Sequence, residues 1–361
     1  MRKTYFLVAG GRDADSHSVD TVDIFASSDG VITRESQADI VLKTAAHSTG
    51  SASKGGFALF IGGSRTFFDE TTQRNRTVRL DTVNIFQNNN GVLVNRNSDI
   101  ELVLDTAISG MAVNAVATRP QIIATGGDKA GGYSAQVYVF DIDEQNNTVT
   151  MQTIDPNLAL DVGRGTFGHT SVGNYTFWAG GNAKDQDNQS YREDSIEVFK
   201  TNPDLTVEKV QVDLHLTNAV SASAGAALGN FALFAGGTIG PDELGHYHDV
   251  DTIDIYRVDG DTITKDETQN IKLSIPRRGM AAFTFGNYVA FAGGTNGSYR
   301  SNIVDIFKLT NERFEPVAFY PSLSDKINAP AYCQSADLAL IAGGLGQTTA
   351  SAALTFFSFN S

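Results

Sequence analysis

Cysteine occurs once in the 361 residues, at Cys333. One thiol excludes an intramolecular disulfide framework, a cysteine-based zinc site and a Cys-x-x-Cys redox pair. It leans toward a reducing compartment without deciding it. Basic residues are also short, 27 against 41 acids, for a net charge of −14. That balance repels a phosphate backbone and gains nothing from counterion release, so a nucleic-acid partner is not expected. No basic amphipathic stretch is present for an anionic bilayer, and no run approaches the ~18 apolar residues of a span, so membrane insertion is not expected either. The opening MRKTYFLVAGG has a basic tip, but its apolar run YFLVA is too short for a signal-peptide core. The expectation is a soluble chain with no signal peptide, either cytoplasmic or exported without a classical signal.

Glycine, at 35 residues, is plentiful, and much of it falls in pairs. The pairs close apolar runs that read FLVAGG, ALFIGG, IIATGG, TFWAGG, ALFAGG, VAFAGG and LALIAGG. They begin at Gly10, Gly62, Gly126, Gly180, Gly236, Gly293 and Gly343. After each pair, across a polar loop of variable length, comes a second word: DTVDIF, DTVNIF, AQVYVF, DSIEVF, DTIDIY, NIVDIF and the degenerate AALTFF. The first word is a strand buried on both faces; the second alternates with period two, a half-buried strand. A small-residue strand such as GHTSVG or SASAGAAL precedes the Gly-Gly word, and a polar outer strand such as VITRESQADI follows the second. Four antiparallel strands in a repeat of about 50 residues is the arithmetic of a β-propeller. The expected fold is all-β: seven four-stranded blades over 1–361, bounded near 1–41, 42–105, 106–159, 160–215, 216–275, 276–326 and 327–361. The chain supplies six inner, seven second, seven third and six outer strands, so the terminal blades are expected to be incomplete.

These words resemble the kelch repeat, with its Gly-Gly pair after the second strand and its (N/D)-S-V-E-x-(Y/F) third strand. The resemblance spans essentially the whole chain. It departs from the family in lacking the fourth-strand tryptophan in every repeat, since the one tryptophan is Trp178. The resemblance implies a propeller serving as a sugar-binding protein, a protein-interaction scaffold or a sugar enzyme.

The Gly-Gly pairs are expected to serve backbone geometry rather than to cradle phosphate, because no Gly-Lys-Ser/Thr follows and every copy has them. Trp178 aligns with Val8, Phe60, Phe234, Phe291 and Ile341, a core register. The junction where each polar loop meets the third strand is more informative. Three residues before the opening Asp or Asn stand His17, Tyr191, His248 and Tyr299, with Tyr133 displaced by one. In copies four and six the words SYRED and SYRSN add Arg192 and Arg300. A ring face for sugar C–H groups beside guanidinium and carboxylate forks for vicinal hydroxyls is the chemistry of a carbohydrate site. The same residues also suit loop bracing, with Asp20, Asp81, Asp194, Asp251 and Asn302 capping backbone amides. His246 and His248 are a weak metal candidate, being i and i+2 in an extended segment. Arg164, Arg277 and Arg278 precede inner strands and are expected to pair with acids.

Long loops in copies two, four and five, with Phe67 and Phe68 in the first and Asp185 and Asp187 in the second, are where recognition is expected. No catalytic constellation or cofactor motif stands out. The expected function is a lectin using repeated weak sites, with glycans or small sugars as ligands. The alternatives are a protein-interaction scaffold and a kelch-type sugar enzyme such as a sialic-acid mutarotase.

Overall fold

The computed structural model describes residues 3–28, 31–317, 321–335, 338–346, 351 and 354–358. Every regular element among them is a β-strand. The strands group into seven antiparallel blades, a β-propeller fold. By contacts the chain forms two compact units, Met1–Ala115 with Arg119–Gly165, and Val116–Thr118 with Thr166–Ser361.

The first unit holds three blades. In the second blade Gly50–Lys54, Phe57–Ile61, Val83–Asn89 and Val92–Asn95 run inner, second, third, outer. The third blade repeats this with Ala112–Ala115, Gln121–Thr125, Val137–Asp143 and Thr148–Met151. The first blade begins at its second strand, Thr4–Ala9, followed by Val19–Ser28 and Val31–Glu35, and among the described residues no inner strand pairs with Thr4–Ala9. The second unit holds four blades, whose inner strands are Gly168–Val172, Ala224–Leu228, Ala281–Phe285 and Ala331–Gln334. The last of these has three strands among the described residues, Ala331–Gln334, Leu338–Ala342 and Leu354–Ser358. Of its degenerate word AALTFF, residues 352 and 353 lie outside the described residues. Among the described residues, then, the first blade lacks an inner strand, though Val41–Ala46 also pairs with Val19–Ser28, and the last lacks an outer one, in line with the strand count from the sequence.

Blades adhere through their apolar faces. Leu59, Ile85, Val113, Ile122 and Phe140 form one buried cluster joining blades two and three. Phe231, Leu233, Ile255, Phe291 and Phe307 do the same for blades five and six. Each such side chain contributes about 1.5–3 kcal/mol on burial. Trp178 is fully buried between Phe167, Phe199 and His169.

The Gly-Gly pairs do two jobs. The first glycine takes positive φ in all seven copies, from 62° to 71°. A Cβ on Gly236 would sit 2.1 Å from the Arg277 carbonyl oxygen, so the segment leading to the next inner strand passes where a side chain would be. The second glycine then donates its N–H to that same carbonyl: Gly11 to Ala46 (2.7 Å), Gly63 to Ile108 (2.8 Å), Gly127 to Arg164 (2.9 Å), Gly181 to Val220 (2.7 Å), Gly237 to Arg277 (2.9 Å) and Gly294 to Ile327 (2.8 Å). The amide that a phosphate loop would offer to an anion is spent on stapling one blade to the next.

Candidate functional site

The polar junctions fall on the loops between second and third strands. His17 lies in the first unit, where its Nε2 is 3.1 Å from Asn75 Oδ1 and its backbone N–H donates to Asp13 (2.8 Å). Tyr133, also in that unit, lies against Gly165, where an added Cβ would meet its ring at 2.9 Å.

The remaining junction residues belong to the second unit, and hydrogen bonds and ring contacts link their loops in sequence. In blade four the second and third strands run on past the Gly-Gly pair as Tyr175–Lys184 and Ser190–Thr201, which extends the sheet to carry Tyr191 opposite Ala183. The Tyr191 hydroxyl donates to Glu193 Oε1 at 2.8 Å. Asp185 closes the turn, accepting the amides of Asp187 (2.9 Å) and Gln189 (2.7 Å). Arg192 reaches out of this blade: Nε donates to Ser221 Oγ (3.1 Å), Nη1 to the Gly240 carbonyl (2.7 Å), and the guanidinium lies 4.7 Å from the Tyr247 ring centre. It therefore fixes the blade-five loop at both ends.

In that loop Asp242 organises the turn. It accepts the backbone amides of Leu244 and His246, both at 2.9 Å, and its Oδ2 is 2.8 Å from His248 Nε2 and 3.8 Å from His246 Nδ1. The His248 hydrogen bond first, then the His246 amide, hold the Asp242 carboxyl below its usual range. Among the described residues no group of three His, Cys, Asp or Glu side chains is arranged to hold a metal ion. The turn instead presents Leu244, 79% exposed, and Tyr247, 57% exposed.

Asp249 passes the linkage to blade six. Its buried carboxylate receives Arg278 Nη1 (2.5 Å) and the Gly297 amide (2.6 Å). Gly297 is the tip of the hairpin whose strands pair Asn296 with Tyr299 and Thr295 with Arg300. Tyr299 is 76% exposed, and Arg300 is half-buried. Within the second unit the structure thus gathers Tyr191, Arg192, His246, His248, Tyr299 and Arg300 on three consecutive, mutually braced loops, and His17 belongs to the first unit. Two of the opening acids form ion pairs through their side chains: Asp194 meets His215 (3.0 Å) and Asp251 meets Lys272 (3.6 Å).

Sequence reasoning passed over Tyr247 and Asp242. The signal was present in LGHYHD, where the tyrosine next to His248 is the residue that Arg192 lies over. Arg164 and Arg277 are buried, and Arg277 pairs with Asp305. His169, on the inner strand of blade four, stacks on Trp178, and desolvation lowers its pKa to about 4.

Seven antiparallel blades define the chain as a seven-bladed β-propeller. The comparison with solved structures agrees: 437 chains match, a breadth that names an architecture and no activity. One, described as "Structure of YjhT", is similar over 86% of this chain and 96% of its own, at 13% identity and a TM-score of 0.57. No protein-family model matches the chain, and neither does any curated protein.

Proposed function

We propose that this kelch-type propeller is a lectin that takes carbohydrate on the braced loops of blades four to six. The observation that carries the reading is the pair of exposed tyrosines, Tyr247 and Tyr299, on neighbouring loops joined through Asp249 and Gly297. An exposed ring held in place by a network offers a flat apolar face at little conformational cost. Arginine, histidine and carboxylate groups stand beside it for hydroxyl recognition. Bracing and binding are compatible: Arg192 holds Tyr247 by its face and backbone, and a fixed ring binds better than a mobile one. A single site of this kind is worth about −4 kcal/mol, a millimolar constant. Repetition over several blades raises the effective affinity by avidity.

The test is titration of a bound glycan against Tyr191→Ala, Tyr247→Ala and Tyr299→Ala. Loss of affinity by tenfold or more in the Tyr247 or Tyr299 variant is the expected result. Unchanged affinity in all three variants overturns the site. A scaffold role has one observation of its own, the 79% exposed Leu244 beside Tyr247, since a bare leucine tip suits a protein surface better than a sugar. Under that reading Leu244→Asp abolishes association with a protein partner and leaves glycan binding untouched.

A further inference from the structure

The loop of copy two is a β-hairpin in the first unit, Ser64–Asp69 paired with Arg74–Arg79. One face is covered in part: Ser64 and Thr66 are buried, the Thr66 and Thr77 hydroxyls meet at 2.8 Å and Asn75 meets His17, while Phe68 on the same face is exposed. The opposite face carries Arg65, Phe67 and Asp69 on one strand and Arg74, Arg76 and Val78 on the other, as the register requires. There the Arg65 guanidinium lies 5.2 Å from the Phe67 ring, and Phe67 stands directly across from Arg76.

The hairpin has one covered edge and one open edge. Thr66 turns its N–H and C=O away from its partner strand: the N–H donates to Ser18 Oγ and the C=O accepts from Ser18 N–H, both at 2.8 Å. Thr66 and Thr77 are therefore a non-hydrogen-bonded pair, and Thr77 directs its own N–H and C=O to the far side. By the same alternation Asn75 and Arg79 point outward too. All six residues of Arg74–Arg79 are exposed, and among the described residues no strand or loop pairs with that edge.

Such an edge is a seat for an added strand, and charge alone commonly blunts it. The sign of the charge matters here. Between Ser64 and Arg79 stand four arginines against two acids, in a chain of net charge −14. Arg76 meets Asp69 (3.3 Å) and Arg79 meets Asp128 (2.8 Å), but Arg65 and Arg74 have no carboxylate partner among the described residues. Blunting alone would be served by the acids in which the chain is rich. Two copies pairing edge to edge would set arginine against arginine, which disfavours self-association.

We propose that Arg74–Arg79 is a docking edge for an extended acidic peptide segment of a partner protein, which adds as a third strand to the hairpin. Its backbone pairs with Asn75 and Thr77, and acidic side chains at alternate positions stand beside Arg74 and Arg76.

The experiment is fluorescence anisotropy of the whole protein with a fluorescein-labelled nonapeptide, Glu-Val-Glu-Thr-Glu-Val-Glu-Thr-Glu. Its lysine counterpart and a version with alternate backbone amides N-methylated serve as controls. The expected result is saturable binding of the acidic peptide alone, weakened at least tenfold by Arg74→Glu with Arg76→Glu. Thr77→Pro also weakens it at least tenfold, because it removes an outward N–H and, of the bonds within the hairpin, only the hydroxyl contact with Thr66. The N-methylated peptide carries the same charge, so its failure to bind identifies strand addition even where Thr77→Pro perturbs the hairpin. The proposal is overturned by absence of binding, by equal binding of the N-methylated peptide, by tighter binding of a sulfated hexasaccharide at the same arginines, or by a hairpin-dependent dimer in sedimentation.

Discussion

Arg277 is fully buried and ties blades five and six together. Its backbone carbonyl receives the Gly237 amide (2.9 Å), its Nη1 donates to the carbonyls of Gly293 (2.7 Å) and Ile303 (2.9 Å), and its Nη2 pairs with Asp305. Asp305 is itself 2% exposed and accepts the Ser274 amide at 3.2 Å. Asp305→Ala strands a buried guanidinium on neutral oxygens, and losing one partner of such a pair costs about 3–5 kcal/mol. Arg277→Met combined with Asp305→Ala removes the stranded charge and recovers much of the loss, since apolar replacements of buried pairs are often close to neutral. Trp178, the one tryptophan, is buried in blade four of the same unit and reports unfolding by fluorescence in urea. With an m-value of about 3 kcal/mol/M, Asp305→Ala lowers the midpoint by about 1 M or more. A shift below about 0.3 M, or a double variant no more stable than Asp305→Ala alone, would refute the reasoning.

Two histidines give stability opposite slopes with pH. His169, held near pKa 4 by desolvation, takes up its proton in the unfolded chain first, so stability falls as pH drops from 6.5 toward 4, by up to about 3 kcal/mol. His169→Phe flattens that part of a urea-midpoint profile. His215 is raised above 6.5 by hydrogen bonds to Asp194 and then Asp213, so its contribution is complete below pH 6.5 and fades as pH climbs through the raised value. An imidazole NMR titration reads the shift directly, and Asp194→Asn moves it back toward 6.5; the exposed pair makes the effect on stability small. Arg192→Ala frees the blade-five loop, so amide exchange over 240–249 speeds up while the strands of blade four stay protected.

The blades were legible because their signal is repeated chemistry. Each Gly-Gly word needs positive φ and a close carbonyl, and only glycine meets both demands, so the pattern survives in all seven copies. Trp178 was readable as core from its register alone. The candidate site was legible only in part. Counting back from the third strand finds Tyr191, His248 and Tyr299, but nothing in the spacing says that Asp249 bonds the Gly297 amide and links two loops. Tyr247 escaped the count because its position in the loop follows from the Asp242 turn, a local hydrogen-bond pattern without a repeat in other blades. The copy-two loop read as a long polar loop carrying Phe67 and Phe68. It pairs as a hairpin, Ser64–Asp69 against Arg74–Arg79, and one edge is covered by Ser18, 48 residues from Thr66 in sequence.

A glycan array probed with the purified protein, with and without EDTA, tests the central claim most directly. Reproducible binding to one sugar class, lost in Tyr299→Ala and Tyr247→Ala and indifferent to EDTA, is the predicted result. Binding abolished by EDTA would replace the tyrosine site with a metal site at His246 and His248. A blank array would contradict the lectin reading altogether.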